Sequence, residues 1–396
     1  MRQVYLDHQS ATPVLPEVLE AMKPFLAEHF GNASSLHQRG LRGRDAMDAA
    51  RAKVASFIHS DSPENIIFTS DGTEAANLAV KGSAWANQRR GNHLVLSGIE
   101  HPAVLNSAAF LETQGFVCTR LPVDRLGRVD PEQIKNAITD KTILVAVHHV
   151  NHDIGTIEPI RAMSDAAHEK GVPLYVDAEA SAGWLPVDVQ ELGADLLSFS
   201  PHRFYGPKGV GVLYRHRRAR LTSLLHGGDQ EGGWRAGVEN VAGIVGAGVA
   251  GEMAQGELPE RAAHAARLQR RLWEGLRSKI TRLHLNGPEP GPERSPVNLN
   301  ISAESTEGEG QMLLADMRGI ALASGSACLS KALGASHVLK AIGLEPSLAQ
   351  AAVIFSLGKD NSDAEIDYVL EAFPQIICKL REMSPAWEES SGAAAH

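Results

Sequence analysis

Between Asn65 and Tyr214 short apolar runs alternate with segments of helical period, and this alternation constrains the chain more than any other feature. Strands are expected at Asn65–Thr69, His93–Ser97, Val117–Leu121, Thr142–His148, Leu174–Asp177, Leu196–Phe199 and Val210–Tyr214. Helical spacing falls between several of them, as at Pro102–Gln114, Pro131–Ile138 and Arg161–Lys170. Strand–helix alternation of this kind predicts an α/β fold with a mainly parallel sheet covered on both faces. In such sheets ligands sit outside the carboxyl ends of the strands, which directs attention to the residues that end each run.

The flanks read differently. Pro16–Phe30 and Arg42–Ile58 have helical spacing, with a polar loop at Gly31–Ser35 between them. After a long amphipathic helix expected at Ala262–Ser278, the order shifts to a strand at Val297–Ile301 and helices at Gly308–Met317 and Asp363–Phe373, the last capped by Ser362. The expected organisation is a large domain over 15–260, a smaller α/β domain built from 1–14 and 261–385, and a disordered tail at 386–396. A net charge of −9 argues against a general nucleic-acid binder, and no apolar run is long enough to span a bilayer. The start lacks an apolar signal core, and three scattered cysteines make no disulfide framework, so a reduced, cytoplasmic protein is expected. Cys118 and Cys378 lie in apolar surroundings and read as core residues.

Several strand ends carry chemistry. Residues 198–211, Ser-Phe-Ser-Pro-His-Arg-Phe-Tyr-Gly-Pro-Lys-Gly-Val-Gly, leave an apolar run through a turn that offers Ser200 and His202 as polar side chains. The strand Asn65–Thr69 runs into Ser-Asp-Gly-Thr, with Gly72 and Thr73 opening the helix Glu74–Trp85, a geometry that presents backbone N–H groups to phosphate. Asp177 closes a third run and His101 precedes a helix. Taken singly, a strand-end aspartate is often a helix cap and a lone histidine at a helix start is more often structural. Together and in this order they fit one site.

These segments resemble the NifS/IscS-type cysteine desulfurases, fold-type I enzymes of the class V aminotransferase kind that use pyridoxal phosphate (PLP). The likeness also rests on Tyr5-Leu-Asp-His-Gln-Ser-Ala-Thr-Pro, Gly31-Asn-Ala-Ser-Ser-Leu-His, Val150-Asn-His-Asp-Ile-Gly155, the Gly-rich stretch from His226, and Ser324-Gly-Ser-Ala-Cys328. The resemblance implies a large domain with a mainly parallel seven-stranded sheet and a smaller C-terminal α/β domain. It implies Asp177 at the pyridine nitrogen, His101 stacked on the cofactor ring, His152 near it, and Gly72, Thr73, Ser200 and His202 around the phosphate. Cys328 matches the persulfide cysteine, and homodimerisation follows by analogy.

Departures from the pattern fall on the chemistry. The family motif Ser-x-His-Lys-x-x-Gly-Pro-Lys-Gly has Arg203 here where its cofactor lysine stands. A guanidinium stays protonated and cannot condense with an aldehyde. Ala180 stands for a glutamine, His152 for an asparagine, Ile354 for the arginine that clamps the substrate carboxylate, and Val238 for a threonine that reaches across the dimer. Asp71 stands where glycine is expected and would repel phosphate unless it caps the helix, and Arg203 is expected to pair with Asp177 or Asp71.

The resulting expectation is a desulfurase-like pseudoenzyme that holds no PLP as a lysine imine. It keeps Cys328 for sulfur transfer to an acceptor or scaffold protein, or as an iron–sulfur ligand in cluster assembly. Two alternatives stand beside it: an enzyme of changed chemistry with PLP or pyridoxamine phosphate held non-covalently, and an inert regulatory or scaffold subunit of an active desulfurase.

Overall fold

The computed structural model describes residues 2–324, 336–385 and 387. Its largest sheet has seven strands, side by side in the order Ile66–Thr69, Gly211–Arg215, Leu196–Phe199, Leu174–Asp177, Thr142–His148, His93–Ser97, Val117–Leu121. All pairings are parallel except those of Gly211–Arg215, which runs antiparallel to both neighbours. The α/β expectation therefore holds, with a mainly parallel central sheet. The strands at its centre are buried along their whole length, as a sheet covered on two faces requires.

One face packs Val145, Val147, Val176, Leu197 and Phe199 against the helices Gln38–Phe57 and Val241–Lys279. The other packs Leu94, Leu96, Leu144, Tyr175 and Leu196 against the helical stretch that begins at Gly72 and the helix Pro102–Glu112. A third core lies under the antiparallel sheet Ala352–Ser356, Asn298–Ala303, Leu283–Leu285, and includes Leu299, Phe355 and Phe373. The chain's first strand, Val4–Tyr5, pairs in parallel with Ile320–Ala321, tying the start of the chain to this C-terminal part.

Two expectations need correction. The long helix is not Ala262–Ser278 but Val241–Lys279, 39 residues with Pro259 inside it. Its first half, rich in Ala and Gly, carries too little large-side-chain periodicity to be read as a helix. Those small residues allow the backbone of the helix Gln38–Phe57 to come close: a Cβ on Gly248 would lie 2.8 Å from the Cα of Ala50. Cys378 is exposed on the helix Asp363–Glu382 and is not a core cysteine, whereas Cys118 is partly buried and packs against the core that holds Leu94 and Leu96. The apolar neighbours of Cys378 in sequence, Ile376 and Ile377, fill the core-facing side, and the next position turns outward.

Candidate active site

The strand registers assemble the site. His148 is opposite Asp177, and Asp177 is opposite Ser198, so the ends of three neighbouring parallel strands form one edge. Asp177 is buried there, and its Oδ1 accepts from the Glu179 N–H at 2.9 Å. His101 precedes the helix Pro102–Glu112 and caps it, its Nδ1 accepting from Ala103 N at 3.2 Å. His152 lies in the turn after Thr142–His148, which Asn151 ties by accepting the N–H groups of Asp153 and Ile154. The rings of His101 and His152 meet edge to face at 5.1 Å, and His337 stacks on His152 at 6.1 Å. Burial lowers the pKa of all three imidazoles, most strongly for His152, so these walls are neutral.

The turn after Leu196–Phe199 places Ser200, His202 and Arg203. Its next residues are held hard: Tyr205 has φ 72°, a left-handed conformation unfavourable for a bulky residue. That strain is fixed by the Tyr205 N–H donating to Thr12 Oγ1 at 2.6 Å and the Lys359 N–H donating to the Tyr205 hydroxyl at 2.6 Å. The Arg203 backbone is held by its N–H donating to the Ser200 carbonyl oxygen at 3.2 Å and its carbonyl oxygen accepting from Trp184 Nε1 at 3.2 Å. The Arg203 Nη1 donates to the Gln9 carbonyl oxygen, and its Nε lies 3.7 Å from Glu179 Oε2. The expected partners, Asp177 and Asp71, are not the ones it takes. Asp177 is held by a backbone N–H, and Asp71 caps the helix that follows, its Oδ1 accepting from Glu74 N at 2.8 Å.

Gly72 and Ser200 meet, with the Gly72 N–H donating to Ser200 Oγ at 2.8 Å. Ser200 in turn donates to Glu179 Oε1 at 2.9 Å. Thr73 is exposed on the first helical turn, and His202 borders the same region, where burial and the cations Arg203 and Lys208 lower it to about 4. Burial pushes the Glu179 carboxyl up to about 7 despite the pull of Arg203. Ala180 and Ile354 are buried and apolar, and Val238 is exposed. Cys328 lies outside the described residues. Among the described residues no group of histidine, cysteine and carboxylate side chains could hold a metal ion.

Sequence reasoning missed Glu179. No periodicity marks it: Glu179 lies in the turn after the strand that ends at Asp177, where the alternation of side chains no longer applies. Sequence reasoning also missed the charges beneath the site. His148 donates through Nδ1 to Glu100 Oε1 at 2.6 Å, and its Nε2 lies 3.8 Å from Glu158 Oε1, all three side chains being buried. Burial opposes a charge on His148, but the carboxylates of Glu100 and Glu158 outweigh it and raise its pKa to about 9. Burial raises Glu100, and lifts Glu158 to about 7.

Comparison with known proteins agrees with the geometry. The family described as "Aminotransferase class-V" matches residues 4–369. The chain is 47% identical over 388 residues to a cysteine desulfurase IscS of Clostridium botulinum, covering 98% of each. It is 45% identical to the cysteine desulfurase IscS of Methanosarcina thermophila, covering 97% of this chain and 94% of the relative. A solved structure described as a NifS-like protein superposes with a TM-score of 0.89 at 34% identity, covering 95% of this chain and all of the other.

Proposed function

Because this chain belongs to the cysteine desulfurases of the class V aminotransferase family, we propose that it is a member working without a covalently anchored cofactor, and that it serves sulfur transfer or iron–sulfur assembly through Cys328. The observation that carries this reading is the state of residue 203: a guanidinium bonded to the Gln9 carbonyl and facing Glu179, at the position that matches the family's cofactor lysine. The family implies PLP, which in its relatives acts as an electron sink for chemistry on an amino acid. The ring end of the crevice would suit it, with Asp177 for the pyridine nitrogen and His101 beside the ring. The anchoring position does not fit it. Arg203 offers no neutral amine, and Lys208 is exposed past the turn. Ile354 likewise offers nothing to a substrate carboxylate.

A sulfur-accepting role needs only the thiolate of Cys328. Attack on the terminal sulfur of a donor persulfide forms a new S–S bond, and the donor leaves as its thiolate. No external oxidant is needed, and the sulfur can pass to an acceptor or scaffold protein by the same step. Homodimerisation belongs to the same reading. Phe30, Leu36 and Val238 are exposed apolar side chains that a second copy would cover. Among the described residues no helix is long and apolar enough to cross a membrane.

The test is spectroscopic. Purified protein mixed with PLP is expected to show no imine absorption band that borohydride reduces, and to release no sulfide from free cysteine. Incubated with an active desulfurase and cysteine, it is expected to carry a persulfide on Cys328 by mass spectrometry, lost in Cys328→Ser. A borohydride-reducible band, or sulfide release at the rate of its relatives, overturns the reading.

A further inference from the structure

The phosphate end holds a second obstacle to the cofactor besides the lack of an amine at residue 203: the carboxylate of Glu179. A hydroxyl has one hydrogen to give. That of Ser200 is given to Glu179 Oε1 at 2.9 Å, while the Ser200 oxygen accepts the Gly72 N–H at 2.8 Å. A Cβ placed on Gly72 would lie 1.7 Å from the same Glu179 oxygen and 2.9 Å from Ser200 Oγ. The bare Cα of Gly72 thus leaves a seat for one oxygen atom, and a carboxylate oxygen of this chain is in it. The other carboxylate oxygen faces Arg203, so the side chain is braced from both sides.

We propose that Glu179 is a built-in occupant of the phosphate seat, standing where a phosphate monoester's oxygen would bind, and that it is the residue that keeps phosphorylated pyridoxal-type ligands out. A phosphate entering here must take the Ser200 hydrogen from Glu179, displace a carboxylate held by Arg203, and approach Asp71 and Asp177, both close enough to act on Glu179. Like charges brought together among buried groups repel strongly. The cations at hand are Arg203, already engaged, and Lys208, exposed beyond the turn, while burial keeps His202 neutral. This goes beyond the missing amine, because it concerns affinity for phosphate rather than covalent attachment.

Calorimetric titration of the full chain with pyridoxamine 5′-phosphate tests it. That probe has no aldehyde, so the result is independent of whether residue 203 can form a covalent link. Unphosphorylated pyridoxamine is titrated in parallel. Glu179→Gln keeps the side-chain volume and removes the charge, and Glu179→Ala empties the seat. Both variants are expected to bind the phosphorylated probe about tenfold tighter than the unaltered protein, or more, with pyridoxamine changed by less than about threefold. Thermal melting checks that each variant is folded, and if one is not, the other decides. Equal affinity of all three proteins for the phosphorylated probe, absence of binding included, overturns the proposal. So does an equal gain for both probes, which would mean only that space had been opened. Tight binding of the phosphorylated probe by the unaltered protein overturns it without any variant.

Discussion

Asp177 and Glu179 are two carboxylates separated by one residue, and they mark the two ends of the crevice. Asp177 is the last residue of a central strand, opposite His148 on one neighbour and Ser198 on the other. Its position is dictated by sheet register, and a slip of one residue would turn the whole strand over. Glu179 lies just beyond that strand, in a turn where the backbone is set by local hydrogen bonds and the side chain is free of the ladder. The ring end, built on strand ends, keeps Asp177 and His101 of the family pattern but departs from it at His152 and Ala180. The other end, built on turns, keeps Gly72, Thr73, Ser200 and His202 but departs from the pattern at Arg203 and Asp71, and these two, like Glu179, lie just outside strands. Turns can change their side chains without disturbing a core.

The comparison predicts unequal costs. The ring end stands on a buried cluster, since His148 pairs with Glu100 and the His337 Nε2 donates to the Glu100 carbonyl oxygen at 3.0 Å. His148→Met removes the one cation between two buried carboxyls and is expected to destabilise the protein by about 3–5 kcal/mol in urea unfolding. Adding Glu100→Gln and Glu158→Gln should recover most of that loss, because the uncompensated charges go with it. If His148→Met alone is neutral, the ring end is no more deeply anchored than the other, and the comparison collapses.

At the turn-built end the expected loss is smaller. Arg203 and Glu179 retain 19% and 13% of their side-chain exposure, and their separation of 3.7 Å is an ion pair without a hydrogen bond. Arg203→Met removes that pair and the bond to Gln9, and leaves Glu179 free to take up a proton. A loss of about 1–2 kcal/mol is expected, measured in the same unfolding experiment. A loss as large as that of His148→Met would place Arg203 among the residues that hold the fold together rather than those that fill the crevice.

What could be read from the sequence divides along the same line. Strand ends were legible because apolar runs stop abruptly at them, so Asp177 was read at a strand end and Ser200 just past one from pattern, whereas His152 was singled out only by the family resemblance. Helix existence was legible too, except where small residues do the packing, as in the first half of Val241–Lys279. Side-chain partners were not legible. Arg203 was expected to meet Asp177 or Asp71, but backbone hydrogen bonds occupy Asp177 and Asp71, and only the three-dimensional turn brings Glu179 within reach. The His148 cluster escaped notice for a similar reason: Glu100 and Glu158 come from separate loops, and the folded chain brings them to His148, whose N–H donates to Glu100 Oε1 while the Glu158 N–H donates to the His149 carbonyl oxygen.

The smallest effect separates the two carboxylates by pH. Burial raises Glu179 to about 7 in the folded protein, against its ordinary value of 4.5 when the chain is unfolded. Between those values the folded state holds more protons than the unfolded state, so this residue's contribution to stability falls as pH rises. It is greatest below 4.5 and is lost as pH passes through 7. The relevant quantity is the difference in unfolding free energy between the unaltered protein and Glu179→Gln, in which other groups titrating alike in both proteins cancel, His148 among them. That difference is expected to move against the unaltered protein by about 1 kcal/mol between pH 6 and pH 7. A difference independent of pH would mean that Glu179 is ionised throughout, held by Arg203 as firmly as a surface carboxylate is held by water. The turn-built end would then be as fixed electrostatically as the strand-built one.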